Sequence, residues 1–550
     1  MSIRYRFCAV LLLILMGSLA AKLFWLHVYN KEFLQKEGNA RMIRQKVGES
    51  ERGVIVDRHG LPLGISAVVY DISINPHDVN LVNPNWKSVF NLLDLNAPLW
   101  TKKIRDHKGQ FAYLKRQVSP DIVFKLKSMK LKGLYFSPKF ARFYVDGNAF
   151  AHVIGFTGID SAGQEGLELY YNDWLSGTNS VATHIKDLKG NVIGVIGRST
   201  PAVPGKPVML SIDKRIQYTT FQALKSAVMK HGASSGSAVI LNANTGEVLA
   251  MANYPSFNPN NKSTLKSNVL RNRAISDSIE AGSTIKTFAM AKVLAHGDIP
   301  EDHIVSTYPG FYKIGRNTIT DSKNHGVLTM SEVLSKSSNV GMSKLILTLP
   351  SQSFPAFLST LGFGEITGIE LPGEVPGIFA TKARWRKFEL ATLSFGYGLA
   401  VTNLQLAQAY AVLANEGVKH TPTLLKRDQV PAGEVVLSPK VANTILKMLT
   451  TVTALGGTAV NARVPGYVVA GKTGTARKAI PGGYSKDKYV AVFAGIVPAG
   501  SVPAEQTRLV MVIMIDETHG LYYYGGAVAA PVFAKVMHQV LPLLGIAPTI

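Results

Sequence analysis

The sequence predicts an α+β protein in three consecutive parts: a single N-terminal transmembrane helix, an elongated α+β pedestal, and a larger C-terminal domain with a central antiparallel sheet flanked by helices. Three observations carry this. Arg4 and Arg6 precede an uninterrupted apolar run from Phe7 to Ala21, and no later run reaches the ~18 residues of a span. Ala238–Leu241 and Val248–Ala252 flank Asn242-Ala243-Asn244-Thr245-Gly246-Glu247, a strand–turn–strand signal, and strands recur at Tyr467–Lys472, Tyr489–Val497 and Leu509–Asp516. Between the first two strands and the last three lies a long, mostly helical stretch, as expected of one sheet with helices packed around it.

Residues 1–6 read as a cytoplasmic tail and 7–29 as the anchor. As a helix, 7–29 would span ~34 Å at ~1.5 Å per residue, enough to cross a bilayer. Lys22 can snorkel near its far end, where Trp25, His27 and Tyr29 resemble interfacial anchors. The arginines ahead of it favour a cytoplasmic N-terminus and an extracytoplasmic remainder. A cleaved signal peptide is the competing reading, with Ser18-Leu19-Ala20 as its small-x-small site; continuation of the apolar character past Ala21 favours the uncleaved anchor.

Residues 30–206 form the pedestal. Lys31–Arg58 has helical composition, Val54–Gly60 reads as a strand ending in a turn, and 61–198 alternate short apolar runs with turn residues. Pro201-Ala202-Val203-Pro204-Gly205-Lys206-Pro207 reads as a stiff linker. The C-terminal domain, 207–550, opens with Asp213 as N-cap of a helix Lys214–Lys230 ended by Gly232, and closes with a helix over about Pro531–Leu544. No repeat period of 20–50 residues is present, which excludes solenoids and propellers.

Composition narrows the function. Lysine and arginine number 59 against 36 aspartates and glutamates, a net charge of +23, which suggests an anionic partner, whether nucleic acid, acidic lipid headgroups or an acidic polymer, without choosing among them. The one cysteine, Cys8, lies in the apolar run, so no intrachain disulfide and no cysteine-ligated metal site can form. The 13 histidines form no H-E-x-x-H or similar ligand spacing, and read as surface or satisfied core residues.

Three motifs carry chemistry. Ser283-Thr284-Ile285-Lys286 opens a helix, Thr284–Leu294, on which residues three apart share a face, so Ser283 and Lys286 can meet. A serine hydroxyl needs a base, and a lysine of lowered pKa can be one. Ser337-Ser338-Asn339 follows a capping box, Thr329-Met330-Ser331-Glu332, and occupies the break before a helix Val340–Leu349, a corner able to present a hydroxyl and an amide to a cleft. Lys472-Thr473-Gly474-Thr475 stands at the end of an apolar strand, offering a fixed charge, two hydroxyls and a glycine that lets a ligand approach the backbone. Gly466–Thr473 also satisfies the P-loop pattern G-x-x-x-x-G-K-[ST]. Its middle residues are strand formers, and Gly474, Arg477-Lys478 and Pro481-Gly482-Gly483 follow in place of a helix, so nucleotide binding is not expected.

Each motif alone is common. Together, in this order, they resemble the S-x-x-K, S-x-N and K-T-G set of penicillin-binding proteins and class A β-lactamases. Over essentially its whole length the chain resembles a class B penicillin-binding protein, a peptidoglycan D,D-transpeptidase. Arg52-Gly53-Val54-Ile55-Val56-Asp57-Arg58-His59-Gly60, His152–Gly155 and Gly163–Glu168 look like pedestal motifs of that family. Lys336–Gly341, Ser394-Phe395-Gly396-Tyr397-Gly398 and Tyr523-Tyr524-Gly525-Gly526 look most like its cell-division FtsI type. Ala281 departs from the family, where proline is usual, and should alter the rigidity of the turn and not the chemistry.

The resemblance implies a β-lactam-inhibited enzyme acting on stem peptides ending in D-Ala-D-Ala. Ser283 would be the nucleophile, Lys286 its base, and Ser337 the proton relay to the leaving D-alanine, helped by Lys472. Asn339 would hold the peptide backbone, and Thr473 and Thr475, with Gly474 between them, the terminal carboxylate. The backbone N–H groups of Ser283 and Thr475 would hold the oxyanion. It implies no metal or organic cofactor, no nucleic acid, an inner-membrane location, and a FtsW-type glycosyltransferase and other division proteins as partners. An elongation-type transpeptidase, a serine β-lactamase and a penicillin-sensing protein stay open as alternatives. Against the last two stand the absence of an E-x-x-L-N sequence and the single expected span. Residues 30–200 lack the E-D-x-x-F motif of a glycosyltransferase module.

Overall fold

A computed structural model of the chain describes residues 3–187, 192–261, 263, 265–380, 382–480, 483–500, 503, 506–518 and 523–550. Pro481 and Gly482, cited above against a P-loop, lie outside them.

Ile3–Phe24 is α-helical and continues as one π turn, Trp25–Tyr29. The whole, 27 residues, is long and apolar enough to cross a membrane, and its most apolar window has no residue buried in protein. The Lys22 ammonium lies 4.3 Å from the Trp25 ring centroid, a cation–π contact at the expected interface end. Gly525–Leu543 has comparable length and composition, but half of it is buried, and it belongs to the core described below.

The chain divides into two compact units. One comprises 1–52, 68–140 and 176–206, the other 53–67, 141–175 and 207–550. In the first, Ile43–Gly48, Ser180–Lys186 and Val192–Thr200 form an antiparallel three-stranded sheet. Helices Asn85–Leu92, Ala97–Asp106 and Pro120–Ser128 bury Trp86, Phe90, Ile104 and Leu126 against Ile72, Ile74 and Leu114 of paired strands. Lys31–Met42, within the stretch of helical composition, is a helix.

In the second unit the family-like pedestal segments have structural work. Buried Asp57 accepts from the backbone N–H groups of His59 (2.8 Å) and Leu61 (2.9 Å), closing the turn after Ile55–Val56. Buried Glu168 pairs with Arg142 at 2.6 Å. Gly155 has φ +77°, and a β-carbon there would lie 1.7 Å from the Glu165 carbonyl, so only glycine lets the two segments pack.

The main sheet has strands β1 (Ser235–Asn242), β2 (Val248–Tyr254), β3 (Ala470–Ile480), β4 (Gly483–Val497) and β5 (Leu509–Thr518), antiparallel throughout in the order β2-β1-β5-β4-β3. Its helices are α1 (Lys214–Lys230), α2 (Lys286–His296), α3 (Met330–Ser335), α4 (Asn339–Ile346), α5 (Asn403–Ala414), α6 (Pro439–Thr453) and α7 (Ala530–Leu543). Two adjacent residues of β1 show the layering: Gly236 abuts Val228 and Leu224 of α1, whereas Ser237 bonds Asn403 of α5. Alternate strand residues face opposite sides, so α1 and α5 cover opposite faces. α7 sends Phe533 against Phe493 of β4, ring centroids 5.2 Å apart. Asp213 caps α1 by accepting from Arg215 N–H at 2.9 Å, as expected of its position.

Every residue of α5 is buried, including Tyr410. Its hydroxyl reaches the Thr284 carbonyl (2.9 Å) and the Thr287 hydroxyl (2.9 Å), tying the start of α2 to the central helix. Tyr410→Phe removes the hydroxyl and takes a buried hydrogen-bond partner from both groups, which should cost about 1–2 kcal/mol. Denaturant unfolding of the full chain in detergent measures this, and an unchanged midpoint would contradict it.

Candidate active site

Gly282–Ile285 is a 3-10 turn leading straight into α2. The expected helix Thr284–Leu294 therefore starts tighter and two residues earlier as a turn, with its α part at Lys286–His296. The cause is local: Gly282 has φ +55°, and the Thr284 hydroxyl bonds back to the Ala281 carbonyl at 2.9 Å, competing with helical geometry. Ala281, the departure from the family pattern, has φ −71°, the angle a proline ring enforces.

Ser337 and Ser338 form the break between α3 and α4. Asn339, expected within that break, is instead the first residue of α4, and Ser338 is its N-cap, accepting from Gly341 N–H at 2.8 Å. Thr329 and Glu332 form the expected capping box on α3. Ser337 has φ +59°, uncommon for a side chain other than Gly, Asn or Asp. The turn is held from outside: the Asp321 carboxylate accepts from Ser338 Oγ (2.5 Å), Asn339 N–H (2.5 Å) and Val340 N–H (3.0 Å). A carboxylate at a helix N-terminus satisfies orphan donors and the helix dipole together. The Asn339 amide donates to the Thr320 carbonyl at 3.1 Å.

Lys472-Thr473-Gly474-Thr475 was expected at a strand end. It lies inside β3, which starts at Ala470, not Tyr467, and continues to Ile480. Gly474 lets the strand approach the 3-10 turn: a β-carbon there would lie 2.5 Å from the Ala281 carbonyl. β3 is the edge of the sheet. The Lys-Thr pair is thus in regular strand, which removes the P-loop match.

The three motifs meet at the Ser337 hydroxyl. Lys286 Nζ donates to the Ser337 carbonyl (2.5 Å) and hydroxyl (3.2 Å), and Lys472 Nζ donates to the same hydroxyl (3.0 Å) and to the Thr473 carbonyl (3.1 Å). Both lysines are wholly buried. Burial holds Lys286 well below the usual lysine range, the charge of Lys472 lowers it further, and Asp321 opposes both. Burial lowers Lys472 to about 7. Ser283 is half-buried beside this cluster and lines a cleft of about 620 Å³ with Asp321, Ser337, Asn339, Thr473 and Thr475. Among the described residues no hydrogen bond joins Ser283 Oγ to Lys286 Nζ; the lysine is committed to Ser337.

Sequence reasoning missed Asp321, Tyr410 and Thr458, whose hydroxyl accepts from Thr473 Oγ1 at 3.2 Å; none lies in a recognisable pattern. The segments 394–398 and 523–526 now have a reason. Gly396 packs so that a β-carbon would lie 2.2 Å from the Gly282 carbonyl, and one at Gly525 would lie 2.5 Å from the Gly474 carbonyl. Gly525 N–H also donates to Thr475 Oγ1 at 3.1 Å. Among the described residues no group of histidines and carboxylates could hold a metal ion, and buried His152 is satisfied by the Val269 carbonyl at 2.8 Å.

Residues 236–538 match the penicillin binding protein transpeptidase domain, and residues 47–210 match the penicillin-binding protein dimerisation domain. The chain is 40% identical over 547 residues to the peptidoglycan D,D-transpeptidase FtsI of Escherichia coli, covering 98% of this chain and 92% of the relative. It is 39% identical over 549 residues to the probable peptidoglycan D,D-transpeptidase PbpC of Pseudomonas aeruginosa, covering 99% and 96%. The crystal structure of penicillin binding protein 3 of Mycobacterium tuberculosis complexed with aztreonam superposes with a TM-score of 0.70 at 28% identity, over 92% of this chain and 98% of that one. With both domains matched and a full-length likeness to these enzymes, the chain belongs to the FtsI-type class B penicillin-binding proteins, the peptidoglycan D,D-transpeptidases.

Proposed function

We propose that Ser283 attacks the carbonyl of the penultimate D-alanine of a stem peptide ending in D-Ala-D-Ala and carries the acyl group until an amine from a second strand takes it, with the role of septal cross-linking in cell division. The observation that carries this is the single hydroxyl of Ser337 held between two buried ammonium groups beside Ser283. Two cations on one hydroxyl in a buried site repel, so one gives up its proton first. Lys286, the more depressed, becomes the neutral amine that accepts the Ser283 proton. Lys472 stays charged, orients Ser337 for proton delivery to the leaving D-alanine, and with Thr473 and Thr475 receives the terminal carboxylate. Asn339 holds the peptide backbone. The backbone N–H groups of Ser283 and Thr475 take the oxyanion, with Gly474 leaving them room; such donors are worth ~2.7–4 kcal/mol each. Because β3 is an edge strand, a donor peptide can lie along it as an added strand.

Among the described residues Asp321 is the one carboxylate lining the cleft, and its hydrogen bonds to Ser338, Asn339 and Val340 leave it poorly placed to activate water. This favours a transpeptidase over a β-lactamase. Arg4 and Arg6 ahead of the helix favour a single-pass inner-membrane protein with its folded units outside the cytoplasm, working beside a FtsW-type polymerase and other division proteins.

Intact-mass spectrometry with benzylpenicillin should find one adduct, mapped to 283–286 and lost in Ser283→Ala. After free drug is removed the adduct should persist for many minutes; release within seconds would point to a β-lactamase. The rate of acylation should rise with pH as Lys286 loses its proton and fall above about pH 7 as Lys472 loses its charge. Lys472→Arg keeps a charge at all pH values and should abolish the falling limb; a falling limb unchanged in that variant refutes the assignment to Lys472. Alkaline phosphatase fused after Ile550 should be active in cells, whereas an inactive, stable fusion would reverse the orientation.

A further inference from the structure

Two segments that resemble family motifs, His152–Gly155 and Gly163–Glu168, take no part in the chemistry at Ser283. They pack on each other: a β-carbon at Gly166 would lie 2.5 Å from the Gly155 nitrogen. Together they also contribute His152 and Glu165 to a cavity of about 360 Å³, completed by Phe257, by residues of 267–276 and by Leu371-Pro372-Gly373. None of these residues lines the cleft around Ser283.

Two acceptors in this lining are unmatched. His152 is buried and donates from Nε2 to the Val269 carbonyl at 2.8 Å, which uses one ring nitrogen. Burial lowers its pKa to about 4, so at neutral pH the ring is uncharged and Nδ1 carries a lone pair. Among the described residues nothing donates to that nitrogen. The half-buried Glu165 carboxylate likewise has no hydrogen bond or ion pair among the described residues, and burial alone raises its pKa. The guanidinium of the lining, Arg271, is taken by Asp277 (2.5 Å) and the Ser276 carbonyl (3.2 Å). The walls are otherwise largely apolar, from Phe257, Leu270, Leu371 and Pro372, with the Phe257 ring 5.3 Å from that of His152. A primary ammonium brings three donors and one positive charge, and is also attracted to an aromatic face. A metal ion would find too few ligands: among the described residues no three histidines or carboxylates gather here.

We propose that this cavity is a second binding site, which takes a primary ammonium on an aliphatic stem with the Glu165 carboxylate as counter-ion and His152 Nδ1 as second acceptor. The stem lies against Leu270, Leu371 and Pro372. Free amines and the lysine side chains of other proteins share this chemistry. The site is independent of the donor cleft and of the role of Ser283.

The test titrates the full chain in detergent with n-pentylamine, n-pentanol and Nα-acetyl-lysine amide, followed by saturation-transfer NMR of the probe signals. Glu165→Gln in the same detergent cancels uptake of probes by micelles, and its melting temperature reports whether it is folded. The wild type should bind n-pentylamine saturably and ~10-fold or more tighter than n-pentanol, the scale of one charge-assisted hydrogen bond. Glu165→Gln should lose that preference. Leu270→Trp, which narrows the cavity from its apolar side and keeps Glu165, should weaken n-pentylamine by a similar factor and decides the matter if Glu165→Gln does not fold. Binding of Nα-acetyl-lysine amide alongside n-pentylamine supports the site and assigns it to protein lysines; binding of n-pentylamine alone supports it and assigns it to free amines. No saturable binding of either amine, equal binding of n-pentylamine and n-pentanol, or amine binding undiminished in a folded Glu165→Gln or in Leu270→Trp overturns the proposal.

Discussion

Two lysine ammonium groups buried on one serine hydroxyl are the constraint around which the catalytic unit is organised. Removing an ammonium from water costs several kcal/mol even after relaxation, and here two share a site where, among the described residues, no carboxylate bonds to either. The fold tolerates this by satisfying their protons with the Ser337 carbonyl and hydroxyl and the Thr473 carbonyl, and by letting one lysine go neutral. The same expense makes the site chemically useful, because a lysine that keeps its proton at neutral pH is no base.

That arrangement dictates the backbone around it. Ser337 offers both its carbonyl and its hydroxyl to Lys286 from a strained left-handed conformation, φ +59°. Strain of this kind costs of order 1–3 kcal/mol and persists where the surroundings over-determine it. Asp321 supplies that determination from outside the turn by binding three donors of Ser338, Asn339 and Val340. Its charge also partly opposes the depression of Lys286, so one carboxylate both shapes the corner and moderates the base. Tyr410 does the corresponding work for the other motif, fixing the Thr284 carbonyl from the central helix.

How much of this was legible in the sequence follows from the range of each interaction. Caps and turns are local, and Asp213 and the Thr329–Glu332 box were read correctly from spacing alone. The three motifs were legible because their residue types are chemically unusual in combination. Strand bounds around Lys472 were misplaced because Thr473-Gly474-Thr475 looks like a loop locally; the strand continues there on account of β4, whose ladder pairs Gly474 with Val492. Asp321 and Tyr410 were illegible because their partners are distant in sequence, and nothing in a single chain marks a lone aspartate or a tyrosine on an apolar helix as more than a surface or core residue. The glycines are intermediate: Gly396 and Gly525 stood in segments resembling the family, but only their packing against the carbonyls of Gly282 and Gly474 gives the reason.

The glycine contacts also explain how an exposed sheet edge becomes a specific site. An unpaired edge strand invites any extended chain to add to it. β3 is closed along part of its length by direct backbone approach: Gly474 lets it meet the Ala281 carbonyl, and Gly282 sits so that a β-carbon would be 3.3 Å from the Thr475 carbonyl. What stays open is the stretch flanked by Ser283 on one side and Tyr524, Gly525 and Gly526 on the other. An added peptide can enter only where a nucleophile, a buried cation and two threonine hydroxyls already stand. The edge that would be a liability in another fold is here narrowed until strand addition and alignment for acyl transfer are the same event.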